Sequence, residues 1–250
     1  MSDELFEVSC PVRFPPLFTG QELSGGGDPF AKACARAALG CDAGLIVHAL
    51  SADRLRAAVV FAPEEPLEQA MVALCACGVG FQNALGALAP PEVAVHLTWD
   101  GLIRVNGAVC GRLRVAAADD DPQRTPDWLV VGLELQILPR AGAEPGLSPD
   151  ETCLHLEGCA GVSPPRLLEA WARHLLLWIN RLESEGRAPL HAEWRGLIEE
   201  IGREVSRRWR GAQLCGTFVG VDENFGMLLR TGEETHLIPM SSLLENGEIS

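Results

Sequence analysis

Five arginines in two short segments are the residues of this chain whose types and spacing best suit a chemical task. Arg112 and Arg114 fall on one face of a strand, and Arg104 precedes them on the neighbouring strand. Arg54 and Arg56 repeat the spacing earlier in the chain. Arginines gathered on one sheet face form either an anion-binding floor or a solvated surface. For Arg54 and Arg56, ordinary charges in a hairpin turn are the simpler interpretation.

Strands must position these arginines. Alternating apolar residues predict strands with one buried face, at Ile103, Val105, Val109, Leu113 and Val115. Asn106-Gly107 predicts a tight hairpin, because a type I′ turn needs positive φ at both central residues. The acidic run 119–121 before Pro122 predicts a second turn, followed by an apolar strand at Trp128–Leu138. Together these elements predict a three-stranded antiparallel meander.

The meander also carries motif residues in a recognisable order. These are Trp99, Asn106-Gly107, Cys110-Gly111 and Val130-Val131-Gly132. In order and spacing they resemble the Lys-Trp-Pro-Asn-Asp, Asn-Gly, Lys-Leu-Ala-Gly and Val-Ile-Gly segments of the biotin/lipoate protein ligase family. The resemblance implies an α+β catalytic domain with a mixed or antiparallel sheet and flanking helices, followed by a small C-terminal β domain.

The resemblance also implies ligands. A member of this family joins biotin, lipoate or a related carboxylic acid to AMP, using ATP and magnesium, and transfers it to a lysine of an acceptor domain. If the pocket is kept, its candidate ligand-binding residues are Trp99, Arg104, Asn106, Gly107, Cys110, Gly111, Arg112, Arg114, Gly132, Arg54 and Arg56.

The departures from the family pattern concern catalysis. Adenylation brings a carboxylate to a polyphosphate, so it needs cations where negative charge develops. Ala108 stands at the family's lysine in Lys-Leu-Ala-Gly, and Thr98 replaces the lysine before Trp99. The segment between two predicted strands, residues 51–56, is too short for a phosphate-wrapping loop. Glu134 adds charge of the wrong sign. We therefore expect lost or altered adenylation chemistry and assign no catalytic residue.

Cysteine offers other chemistry. Transferases of the same fold use a cysteine nucleophile, which needs a neighbouring cation or base to lower its pKa. Cys110 takes the place of a small family alanine, so we expect an inert, buried thiol. Cys153 and His155 with Cys159 lack a second ligand pair at zinc spacing, so we expect no metal site.

Three functions remain open on the sequence. The first is a binding module that keeps the pocket for a small carboxylic acid or a partner protein. The second is an active ligase or acyltransferase with a rewired site and a biotinyl or lipoyl acceptor domain. The third is a structural or interaction protein that keeps only the fold, since a fold does not establish an activity.

Composition excludes some partners. A formal charge of −14 argues against nucleic acid and anionic membrane surfaces. The chain has no uninterrupted apolar run of membrane-spanning length, and because Met-Ser-Asp-Glu lacks a basic n-region we expect no secretory signal. Nine cysteines without a secretory signal are typical of reduced thiols, so we expect a cytoplasmic protein.

Spacing elsewhere predicts the remaining elements and two domains, residues 1–209 and 210–250. Helices are expected from Asp28 to Leu39, over 66–88, after Ser163-Pro164-Pro165, and over 192–209. Short strands are expected at 45–50, 57–62, 153–156, 213–221, 227–230 and 236–239.

Overall fold

A computed structural model describes residues 11–139 and 150–245. The larger of its two sheets has seven strands in the order β1-β2-β3-β7-β6-β5-β4. Their bounds are β1 Thr19–Glu22, β2 Leu45–Leu50, β3 Arg54–Phe61, β4 Val95–Leu97, β5 Leu102–Val105, β6 Ala108–Ala117 and β7 Leu129–Gln136. β1 pairs with β2 in parallel and the other neighbours are antiparallel, so the sheet is mixed.

Helices cover both faces of this sheet unequally. Helix α1 (Pro29–Ala38) lies on one face, and Asp28 caps it by accepting a hydrogen bond from the Phe30 amide, as the sequence predicts. The helices α2 Leu67–Ala70, α3 Val72–Gly86, α4 Pro164–Glu185 and α5 Ala188–Leu197 make up the rest. The main apolar core lies between the sheet and α3 and α4, and it contains the buried Trp171 and Trp194.

The predicted meander is confirmed as β5-β6-β7. Asn106 and Gly107 have φ values of 51° and 92°, the left-handed conformations that a type I′ turn requires. The register shifts between Ile103 and Arg104, which pair with Gly111 and Val109 respectively. This bulge places Cys110, rather than Val109, among the buried core residues of β6.

The second sheet is antiparallel, with the order β11-β10-β9-β8. Its strands are β8 Glu204–Trp209, β9 Ala212–Val221, β10 Met227–Thr231 and β11 Glu234–Ile238, and a 3-10 helix, Met240–Leu243, follows them. The predicted strands at 213–221, 227–230 and 236–239 are therefore confirmed within a residue or two.

The predicted helix over 192–209 is wrong beyond its first turns. Helix α5 ends at Leu197, and Ile198 is extended and bridges to Leu97 at the sheet edge. Gly202 then adopts a φ of 86°, which no right-handed helix accommodates. The arginine-rich segment that follows is β8, paired with β9. The spacing of the arginines was consistent with a helix end, but the alternation of exposed and half-buried residues is that of a strand.

Smaller differences concern element bounds. The strand expected at 153–156 is absent: residues 154–156 lie in a turn, and an isolated bridge joins Val109 and Glu151. The helix expected over 66–88 is divided into α2 and α3, and β3 begins three residues earlier than expected, at Arg54. The predicted loop 140–149 lies outside the described residues, and the division between residues 209 and 210 stays a prediction.

Among the described residues, no helix has the length and apolarity that crossing a bilayer requires.

Candidate functional site

One face of the larger sheet is only partly covered by a helix. Ala58, Val60 and Val130 point toward α1 and pack against it. Because side chains alternate along a strand, Arg56 of β3 faces the same side of the sheet as Ala58 and Val60. Arg56 is nearer the β2–β3 turn and lies beyond the end of the helix. The strand registers place Arg56 beside Glu134 and Glu134 beside Arg112. We call Arg56, Glu134, Arg112 and Arg114 the arginine face.

Arg114 is the most enclosed cation of this face. Its side chain is 16% exposed, and its guanidinium lies 4.2 Å from the centre of the Phe30 ring. It donates to Asp28 at 2.9 Å, to Glu134 at 3.0 Å and to Glu245 at 2.7 Å. Burial alone would lower the pKa of Arg114, but hydrogen bonds to Glu245 and Asp28 outweigh burial and raise it. The guanidinium is therefore a permanent charge held by carboxylates.

The other cations of the face are less constrained. Arg112 Nε lies 3.2 Å from Glu134 Oε2, and the Arg112 side chain is 49% exposed. Arg56 is half-buried, its Nε has no hydrogen-bond partner, and within the described ranges no ion pair is found for it. Arg56 is thus the cation of this face for which no carboxylate partner is found among the described residues.

Arg104 and Arg54 lie away from this group. Arg104 shares the orientation of Arg112 but is paired with Glu199 at 2.8 Å, and its Nη1 donates to the Gly107 carbonyl. Arg54 lies 3.8 Å from Asp53 and is nearly half exposed. Both arginines therefore have local partners at the margin of the sheet.

Packing and hydrogen bonds explain why glycine occupies two motif positions and asparagine occupies position 106. A Cβ at Gly111 would lie 2.2 Å from the Glu134 carbonyl oxygen, and one at Gly132 would lie 2.7 Å from the Phe30 ring. Asn106 holds the hairpin by accepting from the Ala94 amide and donating to Glu157. These residues shape the arginine face or its hairpin without adding charge to it.

Trp99 and Cys110 lie in the core, apart from the arginines. Trp99 is 1% exposed, and its Nε1 donates to the Phe225 carbonyl oxygen at 2.8 Å. Cys110 is 2% exposed and donates weakly to the Gln136 carbonyl. Desolvation and the nearby Cys153 and Cys159 thiols raise the pKa of Cys110 well above its usual value. A thiol in this state is poorly suited to nucleophilic attack.

The segment between β2 and β3, where the sequence predicts no phosphate-wrapping loop, is a short turn. It consists of residues 51–53, closed by a hydrogen bond from the Ser51 amide to the Arg54 carbonyl. The Asp53 carbonyl accepts from the backbone amide of Ile137 at 2.8 Å and from Gln136 Nε2 at 3.1 Å. The turn is therefore fixed to the end of β7. Ala108, which the sequence resemblance matches to the family's lysine, is the first residue of β6, next to the hairpin.

Sequence reasoning did not identify Glu245 or Phe30 as neighbours of Arg114. Glu245 lies 131 residues from Arg114 in the chain, and local sequence patterns do not predict contacts at that separation. Asp28 was recognised as a helix cap, yet its second oxygen binds Arg114. In the described ranges, no group of three potential metal-ligating side chains is found.

Comparisons with known proteins agree with the fold. The chain is 57% identical to a biotin protein ligase-like protein of unknown function from Silicibacter sp. TM1040, with a TM-score of 0.87, covering 94% of this chain and 100% of that one. Biotin protein ligase from Aquifex aeolicus in complex with biotin and ATP is 15% identical with a TM-score of 0.66, covering 89% and 95% of the two chains. That likeness concerns the fold alone.

Sequence comparisons extend this result. A biotin–[acetyl-CoA-carboxylase] ligase from Paracoccus denitrificans is 25% identical over 166 residues, 66% of this chain and 69% of the relative. A model of a domain of unknown function (DUF4444) matches residues 207–246, which include most of the second sheet. The model of the biotin/lipoate A/B protein ligase family matches residues 14–196. The chain therefore belongs to the biotin/lipoate A/B protein ligase family.

Proposed function

We propose that this chain is a divergent member of its family that binds a small carboxylic acid, or an adenylate-like ligand, on the arginine face, with lost or altered adenylation chemistry. The observation that carries the proposal is the row of Arg56, Glu134 and Arg112 on adjacent strands, with Arg114 beside it. Guanidinium groups hold carboxylates through paired hydrogen bonds. In the described part of the chain no ion pair is found for Arg56, and the Arg112 side chain is half exposed.

Loss of adenylation follows from what surrounds the face. The largest part of the rate enhancement of adenylation comes from positive charge already positioned where negative charge develops on the phosphate in the transition state. The turn of residues 51–53 is too short and too tightly bound to β7 to enclose a nucleotide. Ala108 supplies no charge, and Glu134 and Asp28 place carboxylates where a polyphosphate would be repelled.

A second candidate function is an active ligase with a rewired site. It is favoured by the Paracoccus denitrificans relative, a biotin–[acetyl-CoA-carboxylase] ligase. In this alternative Arg56 and Arg112 take over the roles of the missing cations, ATP with magnesium and biotin or lipoate are the substrates, and a biotinyl or lipoyl domain is the acceptor. A protein-binding role for the same surface is a third possibility, with an acidic peptide as the matching partner for Arg56.

Ligand screening tests the proposed site directly. Thermal unfolding is followed with biotin, lipoate, octanoate, ATP and the corresponding acyl adenylates. A ligand at a hundred times its dissociation constant stabilises the protein by about 2.7 kcal/mol. The Arg112→Gln variant should bind the stabilising ligand roughly tenfold to a hundredfold more weakly, because a hydrogen bond to a charged group contributes about 1.5–3 kcal/mol.

The matched control is Arg181→Gln, which removes an exposed arginine from α4 that is paired with Glu185. It should leave the affinity unchanged. Equal affinity for the wild type and Arg112→Gln would assign the arginine face to an ordinary solvated surface.

A further inference from the structure

The segment after β11 returns from the second sheet to the larger domain. Met240 is fully buried, its Sδ lies 3.6 Å from the Cys75 thiol of α3, and its amide donates to Glu68 of α2 at 3.1 Å. The Ser241 hydroxyl donates to the other oxygen of Glu68. The first part of this segment is thus fixed to the helices beside the sheet.

The end of the same segment reaches the arginine face. The Glu245 amide donates to the Val115 carbonyl of β6 at 2.9 Å. The Glu245 carboxylate accepts hydrogen bonds from two nitrogens of Arg114: Nε donates to Oε1 at 2.9 Å and to Oε2 at 3.0 Å, and Nη2 donates to Oε2 at 2.7 Å. Proteins commonly bind the carboxylate of a ligand through the same paired hydrogen bonds from a guanidinium. We call residues 240–245 the C-terminal clasp.

The charges around Arg114 leave no room for a further carboxylate. Asp28, Glu134 and Glu245 accept hydrogen bonds from all three nitrogens of the Arg114 guanidinium. An acid that binds at Arg114 must therefore replace one of these carboxylates, since a fourth one would be repelled at short range.

Glu245 is the carboxylate that can leave. Asp28 caps α1, and Glu134 lies inside β7 between two paired strands. Glu245 lies outside the regular helices and strands, and its side chain is 39% exposed. Its departure breaks its contacts with Arg114 and Val115 while the anchors at Glu68 and Cys75 stay in place.

We propose that Glu245 is an internal stand-in for the ligand carboxylate, so that the C-terminal clasp closes the arginine face and ligand binding displaces it. This inference rests on the proposed function, because it assigns a regulation to the same site. A ligand that must first open the clasp binds with an affinity reduced by the fraction of open molecules. Weakening the clasp should therefore raise the affinity.

The test compares the wild type with Glu245→Gln, which removes the charge and keeps the side-chain length. The control is Glu233→Gln, the same change at an exposed position in the turn between β10 and β11. Amide hydrogen exchange over the clasp is measured first without ligand. We expect faster exchange over the clasp in Glu245→Gln, and wild-type rates in Glu233→Gln.

Binding of biotin, lipoate and octanoate to the same proteins is then measured by calorimetry. Glu245→Gln should bind one of these acids at least about tenfold more tightly than the wild type. The bound acid should accelerate exchange over the clasp in the wild-type protein.

The outcomes separate the two proposals. Equal affinities in the wild type and Glu245→Gln, with binding to both, would overturn the clasp and leave the ligand site standing. Binding to neither protein would overturn the ligand site and with it the competition, while the exchange rates without ligand still report whether Glu245 holds the clasp. Unchanged exchange over the clasp in Glu245→Gln would show that the Arg114–Glu245 ion pair does not keep the clasp closed.

Discussion

At the scale of single residues, the feature that decides the chemistry is the pairing of cations with carboxylates. Arg114 forms ion pairs with Asp28, Glu134 and Glu245, so these carboxylates offset the positive charge of its guanidinium. Arg56, on β3, lies beside Glu134, but within the described part of the chain no ion pair is found for it. The proposed site therefore combines one cation without an ion pair with several fixed carboxylates, a charge balance that suits a singly charged acid better than a polyphosphate.

His48 gives a prediction at this scale. It is 5% exposed on β2, and within the described ranges no partner is found for its Nδ1. Desolvation lowers the pKa of His48, with an opposing contribution from Glu22. The unfolded chain therefore binds the proton more readily, and the stability linked to His48 is complete above its usual pKa of about 6.5 and decreases as the pH falls below that value.

Urea unfolding of wild type and His48→Gln between pH 5 and 8 measures this effect. The free energy of unfolding should fall more steeply with acidification in the wild type than in His48→Gln. A comparison with His155→Gln, which removes an exposed histidine, separates burial from the simple loss of a histidine. Parallel profiles for the wild type and His48→Gln would contradict the prediction.

At the scale of elements, the short turn between β2 and β3 is the feature that supports the proposed loss of adenylation. Asp53 joins the turn to β7 through its carbonyl, and Gln136 donates to it from the neighbouring strand. A turn held at both ends has no free length to fold over a nucleotide. Restoring one charge elsewhere does not change that geometry.

Ala108→Lys tests this statement. The variant regains the family's lysine at the start of β6, but it should still release no pyrophosphate above the wild-type level with magnesium-ATP and biotin, lipoate or octanoate. Removing one stabilising donor typically costs an enzyme about 2.7–4 kcal/mol, a hundredfold or more in rate. The short turn of residues 51–53 would still leave the nucleotide unenclosed.

The assay is run beside an active biotin protein ligase, and transfer of labelled acid to a biotinyl or lipoyl domain is the second measurement. Turnover by the wild type at rates typical of enzymes would favour the rewired ligase. Turnover gained in Ala108→Lys would show that the short turn is no obstacle.

At the scale of the whole molecule, the two sheets are joined by buried contacts. The Trp99 indole donates to the Phe225 carbonyl, and the Trp99 amide donates to Glu200. Phe225 is 1% exposed and has a φ of 66°, so the turn between β9 and β10 is held in a conformation that phenylalanine rarely adopts. Trp99 therefore contributes to the attachment of the second sheet.

Trp99→Phe should destabilise the protein by about 2–4 kcal/mol, because it leaves a cavity and an unpaired buried carbonyl. Hydrogen exchange should increase first over β9 and β10. The control Trp178→Phe also removes a buried indole donor, but its partner is Asn83 of α3. If both variants loosen the second sheet to the same extent, Trp99 has no special role in holding it.

The sequence determined what depends on neighbours in the chain. The Asn106-Gly107 turn, the Asp28 cap and the alternation of the meander follow from local backbone preferences, and each is present. The family resemblance and the short segment before β3 could also be recognised, because motif order and loop length are properties of the sequence. The error at 192–209 arose where a helical and a strand pattern overlap and where Ile198 and Gly202 end the helix.

Tertiary structure alone decided which charges meet. Glu245 lies 131 residues from Arg114, and Phe225 lies 126 residues from Trp99, so neither contact leaves a periodic signal. The register shift between β5 and β6, after Ile103, directs the Cys110 side chain into the core. The alternation of apolar residues in the sequence does not predict such a shift. Which arginine remains free and which is already occupied depends on side chains brought together by folding, because ion pairing is a matter of distance in space.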